Sequence, residues 1–453
     1  MRKIPIAVLP LLVGLSLLMA MPLAARSADK PASEKTILIK NVKVFDGTSD
    51  TLTAPTSVLV VGNKIQEISN NAGKSASKDA MVIDGGGRVL LPGLSDTHVH
   101  MSFVTLSIGK LLNGIPGYGH IHATVDARDM LMRGITSVRD MGGASFGLKQ
   151  AIDEGLVPGP RIYPSGALLS QTSGHFDFRY QNQDHHRFGG VRAEVENENH
   201  LRVVDGVPEV LAAARENLRH GASQIKIAAG GGYSSPTDPI LGTQFTFEEM
   251  KAAADAASDY GTYATMHAYT PKAVNRGIDA GLKDVGHGQL LDEKTLRRMA
   301  KEGVYLSTQP FTECHEPQLD ANSNAKLAVV CKGTEAVYKM AKKIPNLKVT
   351  YGTDIFNSPA LALLQVKMMD RLSKWYTPVE ILKMATGNVT GLYKMSGLKN
   401  PYPDGDLGVI KVGAYADMLL VEGNPLEDIK VVGELDNLLI IMKDGKIYKN
   451  ILQ

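Results

Sequence analysis

From residue 36 the chain runs in short β-branched stretches broken by polar turns. In "TILIKNVKVFDGTSDTLTAPTSVLVVGNKIQEIS" the breaks fall at Asp46-Gly47 and Gly62-Asn63, as expected of short strands joined by tight connections. The same texture returns near the other end, in "GVIKVGAYADMLLVEGNPLEDI" and "NLLIIMKDGKIYKN". The middle alternates instead. Apolar runs such as "GITSVRDM", "RIYPSGALL", "SQIKIAAGG", "TYATMHAY", "DVGHG", "VYLSTQP" and "KVTYGTDI" are separated mostly by helix-period segments such as "TFEEMKAAADAASDYG". With the strand in "RVLLPGLSDTHVH" these runs make eight. Alternation of this kind predicts an α/β fold, a (β/α)8 TIM barrel, with a small β-sandwich domain assembled from both termini. A doubly wound sheet is the alternative, though polar residues at so many strand ends fit it less well.

The expected boundaries are a leader over 1–28, a first part of the small β domain over 36–91, the barrel over 92–395 and the rest of the small domain over 396–453. The leader places Arg2 and Lys3 before an apolar run and exits through Ala24, Ala25, Ser27 and Ala28, the pattern of a secretory signal peptide. An uncleaved anchor is the alternative, disfavoured by Pro5, Pro10 and Pro22. Export to the periplasm or medium is therefore expected. Cys314 and Cys331 could form a disulfide there, but their spacing leaves the pairing open. With 43% hydrophobic and 21% charged residues and a formal charge of +2, the 453-residue chain has material for a large core. It shows no basic excess that would mark a nucleic-acid partner.

If the middle is a barrel, chemistry gathers where its strands end. "THVH" puts His98 and His100 at i and i+2, on one face of a strand and within reach of one ion. Later strand exits carry His267, His287 and Asp354. Each alone reads as an ordinary core or loop residue; together, on strands that converge, they read as a metal site. A second His-x-His pair, His120 and His122, opens a helical pattern in which i and i+2 diverge, so it reads as structural or surface histidine. Divalent metal lowers the pKa of bound water to about 7. A carboxylate beside it can then take the proton, which makes Asp354 the candidate general base and acid. Histidine and aspartate ligands suit zinc, with manganese or iron also compatible.

The segments "LPGLSDTHVHM", "IKIAAGGG", "MHAY", "GHGQLLD" and "GTDI" resemble, in order, the metal motifs of the amidohydrolase superfamily, in its prolidase-like and carboxypeptidase-like branch, loosely called imidazolonepropionase-like. The resemblance implies a distorted TIM barrel and two divalent ions, with His98 and His100 on one, His267 and His287 on the other, and Asp354 as ligand and proton acceptor. It also bears on Lys226, which sits between Ile225 and Ile227 in a run that otherwise reads as a buried strand. An ammonium has no acceptor for a cation, but a carbon dioxide adduct of lysine is an anionic carbamate. Binuclear members of the superfamily bridge their ions with such a lysine on the fourth strand, the place Lys226 holds. A phosphate loop is excluded because Gly230, Gly231 and Gly232 follow the lysine; a lysine reaching the surface is the remaining alternative.

His175, in "TSGHFDF", is a candidate to polarise the scissile carbonyl, or else orders its loop. Tyr233 is a candidate substrate contact, or else simple packing. Arg139 and Arg179 either hold a terminal carboxylate or pair with Asp140 and Asp177. The expected reaction is hydrolysis of an amide in a dipeptide or N-acyl amino acid, a small-molecule substrate. A cyclic amide, imidazolone or lactone is the enzymatic alternative, and a non-catalytic binding protein the alternative from another class. A homo-oligomer is compatible with the sequence, which does not fix the assembly.

Overall fold

The computed structural model describes residues 35–115, 117–235, 237–317 and 319–452, so the expected leader lies outside the described residues. Five strands open the chain: β1 Thr36–Val44, β2 Thr56–Val61, β3 Lys64–Ile68, β4 Met81–Asp84 and β5 Val89–Pro92. Ten follow: β6 Leu94–Val99, β7 Ile135–Asp140, β8 Arg161–Pro164, β9 Leu168–Ser170, β10 Leu201–Val203, β11 Ile225–Ala228, β12 Ala264–Ala268, β13 Asp284–His287, β14 Tyr305–Thr308 and β15 Lys348–Tyr351. Three close it: β16 Met418–Val421, β17 Leu438–Lys443 and β18 Lys446–Asn450.

Both ends share one eight-stranded sheet, ordered β18-β17-β16-β5-β1-β2-β3 with β4 on β1. Strand β5 joins the two ends: Leu90 pairs with Leu420 on antiparallel β16 and with Val44 on parallel β1. Val42, Val58, Val60, Leu90, Leu420 and Ile440 form its buried core.

The middle strands are all parallel, in a sheet ordered β10-β9-β11-β12-β13-β14-β15 and a sheet ordered β6-β7-β8. Every residue of β6, β7, β11, β12 and β13 is buried, as expected of parallel strands covered on both faces. "RIYPSGALL", read above as one strand, is two. Asn217, from the helix Val207–His220, accepts from Ala167 N (3.1 Å) and donates to Ala167 O (2.8 Å). That side chain takes the bonds a continuous ladder would use, and Gly166 turns there at a φ of +72°.

The interior below the strand ends is polar. Arg139 on β7 donates to Thr97 O on β6 (2.8 Å), Tyr263 Oη (3.0 Å) and Ser307 Oγ on β14 (2.7 Å), and pairs with Asp284 on β13 at 2.9 Å. Both charges are fully buried. Thr97 Oγ1 in turn lies 2.8 Å from Tyr351 O, linking β6 to β15. Arg139 is thus neither a substrate contact nor a partner of Asp140: its guanidinium points into the interior, where Asp284 balances it. Arg179 does pair with Asp177, at 2.6 Å.

Candidate metal centre

The exits of β6, β12, β13 and β15 bring the candidate ligands together. His98 Nε2 and His100 Nε2 lie 3.5 and 3.3 Å from Asp354 Oδ1, and His287 Nδ1 lies 3.8 Å from Asp354 Oδ2. The His98 and His287 ring centroids are 4.7 Å apart, those of His267 and His287 4.2 Å, and those of His175 and His267 4.0 Å. Lys226, Tyr233 and Tyr269 line the same cavity. Two of these residues have left-handed backbones, His287 at φ 102° and Asp354 at φ 52°. Asp354 N donates to His98 O at 2.8 Å, which holds the turn that brings the carboxylate back over β6. Conformations of this kind cost about 1–3 kcal/mol each and persist where the surroundings enforce them.

The donor chemistry fits cations. His100 Nδ1 lies 2.9 Å from Gly142 O, which can only accept, so the ring proton is on Nδ1 and the Nε2 lone pair faces the Asp354 carboxylate. His267 Nε2 is bound the same way by Gly231 O at 3.0 Å, leaving its Nδ1 lone pair. His98 Nε2, His287 Nδ1 and Lys226 Nζ are buried without any hydrogen-bond partner. Buried polar atoms left unpaired cost about 1–3 kcal/mol each, and the His100 lone pair turned toward a carboxylate is repelled by it unless a cation stands between them. His98, His100 and Asp354 also form one of the two groups among the described residues whose ligand atoms lie within 4.8 Å of one another.

Burial, and then the Lys226 charge, hold His98 and His267 well below the usual imidazole range; burial holds His287 down too, followed by His267. These rings are therefore neutral, the state that ligates metal. Burial likewise lowers Lys226 to about 7, against the attraction of Asp354. Lys226 is 1% exposed, so a side chain reaching solvent is ruled out.

The glycines after Lys226 serve close packing. A Cβ on Gly232 would stand 2.0 Å from the His175 ring, and one on Gly286 would stand 2.8 Å from His98 Cε1 and 3.0 Å from Lys226 Nζ. His175 Nδ1 lies 2.7 Å from Ser235 Oγ, which accepts from Phe176 N at 2.8 Å. Asp238 accepts from Gly232 N at 2.6 Å, and Lys326 donates to Ser235 O and Asp238 O at 2.5 and 3.2 Å. Lys326 belongs to the helix Ala321–Ala341, which also carries Cys331, disulfide-bonded to Cys314.

The second such group is His120, Glu198 and His200. Here Ala144 N donates to His200 Nδ1 at 3.2 Å, so the ring proton is on Nε2, 3.2 Å from Glu198. A hydrogen bond already occupies the atom a metal would need. His122 stands apart, 3.6 Å from Asp126.

Several residues of the site were not foreseen. Gln309, just beyond β14, lies 3.0 Å from His98 Nδ1; its place at a strand exit in "STQP" was the available signal. Glu316, Arg371, Phe311 and Phe356 line a recess beside Asp354. Burial, with Asp354 and Glu313 nearby, pushes Glu316 up to about 7. Phe311, Glu316 and Phe356 come from irregular segments, which carry no periodicity to read, and Arg371 from the short 3-10 helix Lys367–Lys374.

The sequence pattern of the Amidohydrolase family matches residues 89–448. Ochratoxinase of Aspergillus niger is 31% identical over 373 residues, covering 80% of this chain and 76% of its own. A crystal structure of an amidohydrolase is 34% identical with a TM-score of 0.84, and covers 92% of this chain and 100% of its own. A prolidase complexed with N-methylphosphonate-L-proline is 32% identical, also with a TM-score of 0.84 and the same coverage.

Proposed function

The chain belongs to the amidohydrolase family and is a hydrolase, and from that premise we propose that it cleaves the amide of an N-acyl amino acid or dipeptide with two divalent ions, zinc by the chemistry of the donor set. His98, His100, His267, His287 and Asp354 would hold the ions, with Lys226 as a carbamate between them. The single observation that carries this reading is the set of buried, unpaired atoms His98 Nε2, His287 Nδ1 and Lys226 Nζ around Asp354. Likeness to a prolidase supports the amide bond as the target. We read the two parallel sheets as one distorted (β/α)8 barrel, a reading supported by Thr97 bridging β6 to β15. The same reading has the protein exported after loss of its leader.

When bound, such ions supply Lewis acidity and make water acidic enough to attack at neutral pH. Asp354 takes the proton of the attacking water on a carboxylate oxygen and returns it to the leaving nitrogen. His175, stacked on His267 and held through Nδ1 by Ser235, would turn Nε2 toward the scissile carbonyl oxygen in this reading. Tyr233, 7% exposed, and Phe356 keep bulk water from the reacting atoms. The test is a screen of N-acyl amino acids and dipeptides against metal-reconstituted protein, with metal content measured on the same sample. Hydrolysis that follows metal content is expected; a fully loaded preparation that cleaves no amide overturns the reading.

A further inference from the structure

Lys326, on the helix Ala321–Ala341, is 7% exposed, and it is not among the described residues that line the metal centre. An ammonium held out of water needs acceptors, and it has three protons to give. Its acceptors lie on the segment that follows the glycines: Ser235 O at 2.5 Å, Asp238 O at 3.2 Å and the Asp238 carboxylate at 3.8 Å. The helix itself is anchored without these bonds. Asp320 caps its start, accepting from Ser323 N at 2.8 Å and Ser323 Oγ at 3.0 Å. Leu327 and Val330 lie in one buried cluster with Tyr269 and Phe311, and Cys331 ties the helix to Cys314.

What the Lys326 bonds fix is the far side. Ser235 Oγ lies 2.7 Å from His175 Nδ1 and accepts from Phe176 N at 2.8 Å. Asp238 accepts from Gly232 N at 2.6 Å, which keeps that glycine against the His175 ring. Stacking on His267, 4.0 Å away, sets the plane of the ring. It does not set which edge faces the reacting atoms, because a half-turn about Cβ–Cγ preserves the plane. The neighbours of Nδ1, Ser235 Oγ and then Asp238 Oδ2 at 3.8 Å, distinguish the two edges.

Resting on the carbonyl-polarising role read above for His175, we infer that Lys326 is a positioning residue for that histidine. From the helix it clamps the Ser235 and Asp238 carbonyls, so that Ser235 holds Nδ1 and Nε2 is the nitrogen left for the substrate. Lys326 acts through Ser235 and touches no reacting atom.

The test compares Lys326→Met, which keeps the stem and removes the donors, with Lys326→Arg and Ser235→Ala, all metal-loaded. Ring resonances of His175, assigned by their loss in His175→Ala, are read by NMR of histidine-labelled protein. They should move in Lys326→Met and in Ser235→Ala, and return toward the parent position in Lys326→Arg. On the amide that the parent cleaves fastest in the screen above, kcat should fall about tenfold or more in Lys326→Met, as small misplacements of a reacting group do. KM should stay within about threefold, the split expected when only the transition state loses a contact, and metal content should not change. Residues that act through one contact are not additive, so the Lys326→Met, Ser235→Ala double variant should be at most about twofold slower than the slower single variant. If Lys326→Met does not fold, Lys326→Gln, which keeps a donor for one carbonyl, takes its place. Unmoved His175 resonances in a folded variant, or losses in kcat that multiply, overturn the inference. Parent-like turnover of His175→Ala, or a parent that cleaves no amide, removes the carbonyl-polarising role instead, and the ring resonances then decide alone whether Lys326 positions His175.

Discussion

The imidazole of His175 lies against that of His267, with centroids 4.0 Å apart and planes 26° from parallel. His175 leaves β9 by way of an irregular loop and His267 belongs to β12, so the stack joins a loop to a strand across β11. It exists because Gly232 presents no side chain: a Cβ there would meet His175 Cε1 and Nδ1 at 2.0 Å.

Gly232→Ala is therefore expected to displace His175 rather than unfold the protein. Overpacking of this kind costs about 1–3 kcal/mol, which a chain with so large a core should tolerate. Activity should fall by more than tenfold while metal content stays near that of the parent. Thermal unfolding and kcat/KM on one preparation check this; an active Gly232→Ala enzyme would remove His175 from the carbonyl-polarising role.

Asp354→Asn should abolish most turnover, because an amide cannot take the proton of the attacking water. Loss of a general base costs about 10²–10⁴-fold. Metal content has to be measured alongside, since the carboxylate also faces His98 and His100. Activity within a few-fold of the parent would place the base elsewhere.

Lys226→Ala should lower metal content and activity together, and Lys226→Arg should restore neither, because a guanidinium cannot become a carbamate. Short carboxylic acids are expected to rescue the alanine variant in part by supplying the missing anion. A direct readout is carbon NMR of protein loaded with metal in isotope-labelled bicarbonate. The absence of a carbamate signal in a fully loaded sample would refute the modified lysine.

Stability should report on Asp140. This carboxyl is fully buried, and burial pushes it up to about 6 despite hydrogen bonds from Ser145 and from Met101 N. A folded pKa above the unfolded value of 3.8 means that ionisation opposes folding. The cost is present above about pH 6 and disappears as pH falls toward 4, on the order of 3 kcal/mol in total. Asp140→Asn removes the titration, so its stability relative to the parent should be higher at pH 7.5 than at pH 4.5. Denaturant unfolding at the two pH values measures the difference, and a difference that does not change with pH would contradict it.

Much of the site was legible in the sequence because strand periodicity is local. His98 and His100 share a face by the two-residue repeat of a strand, and "IKI" announced a buried lysine before any fold was known. The alternation of apolar runs with helical segments likewise carried the parallel strands, and matching β-rich ends carried the shared terminal sheet. What the chain could not disclose depends on contacts between distant segments. Arg139 sits next to Asp140 in sequence, yet successive strand residues point to opposite faces, and its partner is Asp284 on β13. The break between β8 and β9 was set by Asn217, about fifty residues away, and the bond between Cys314 and Cys331 by a loop brought against a helix. Glu316 and Phe356 belong to irregular segments, whose course follows from what they pack against. Residue type and spacing fixed which groups could ligate; only the tertiary structure decided which face one another, because hydrogen bonding and burial act on distance in space.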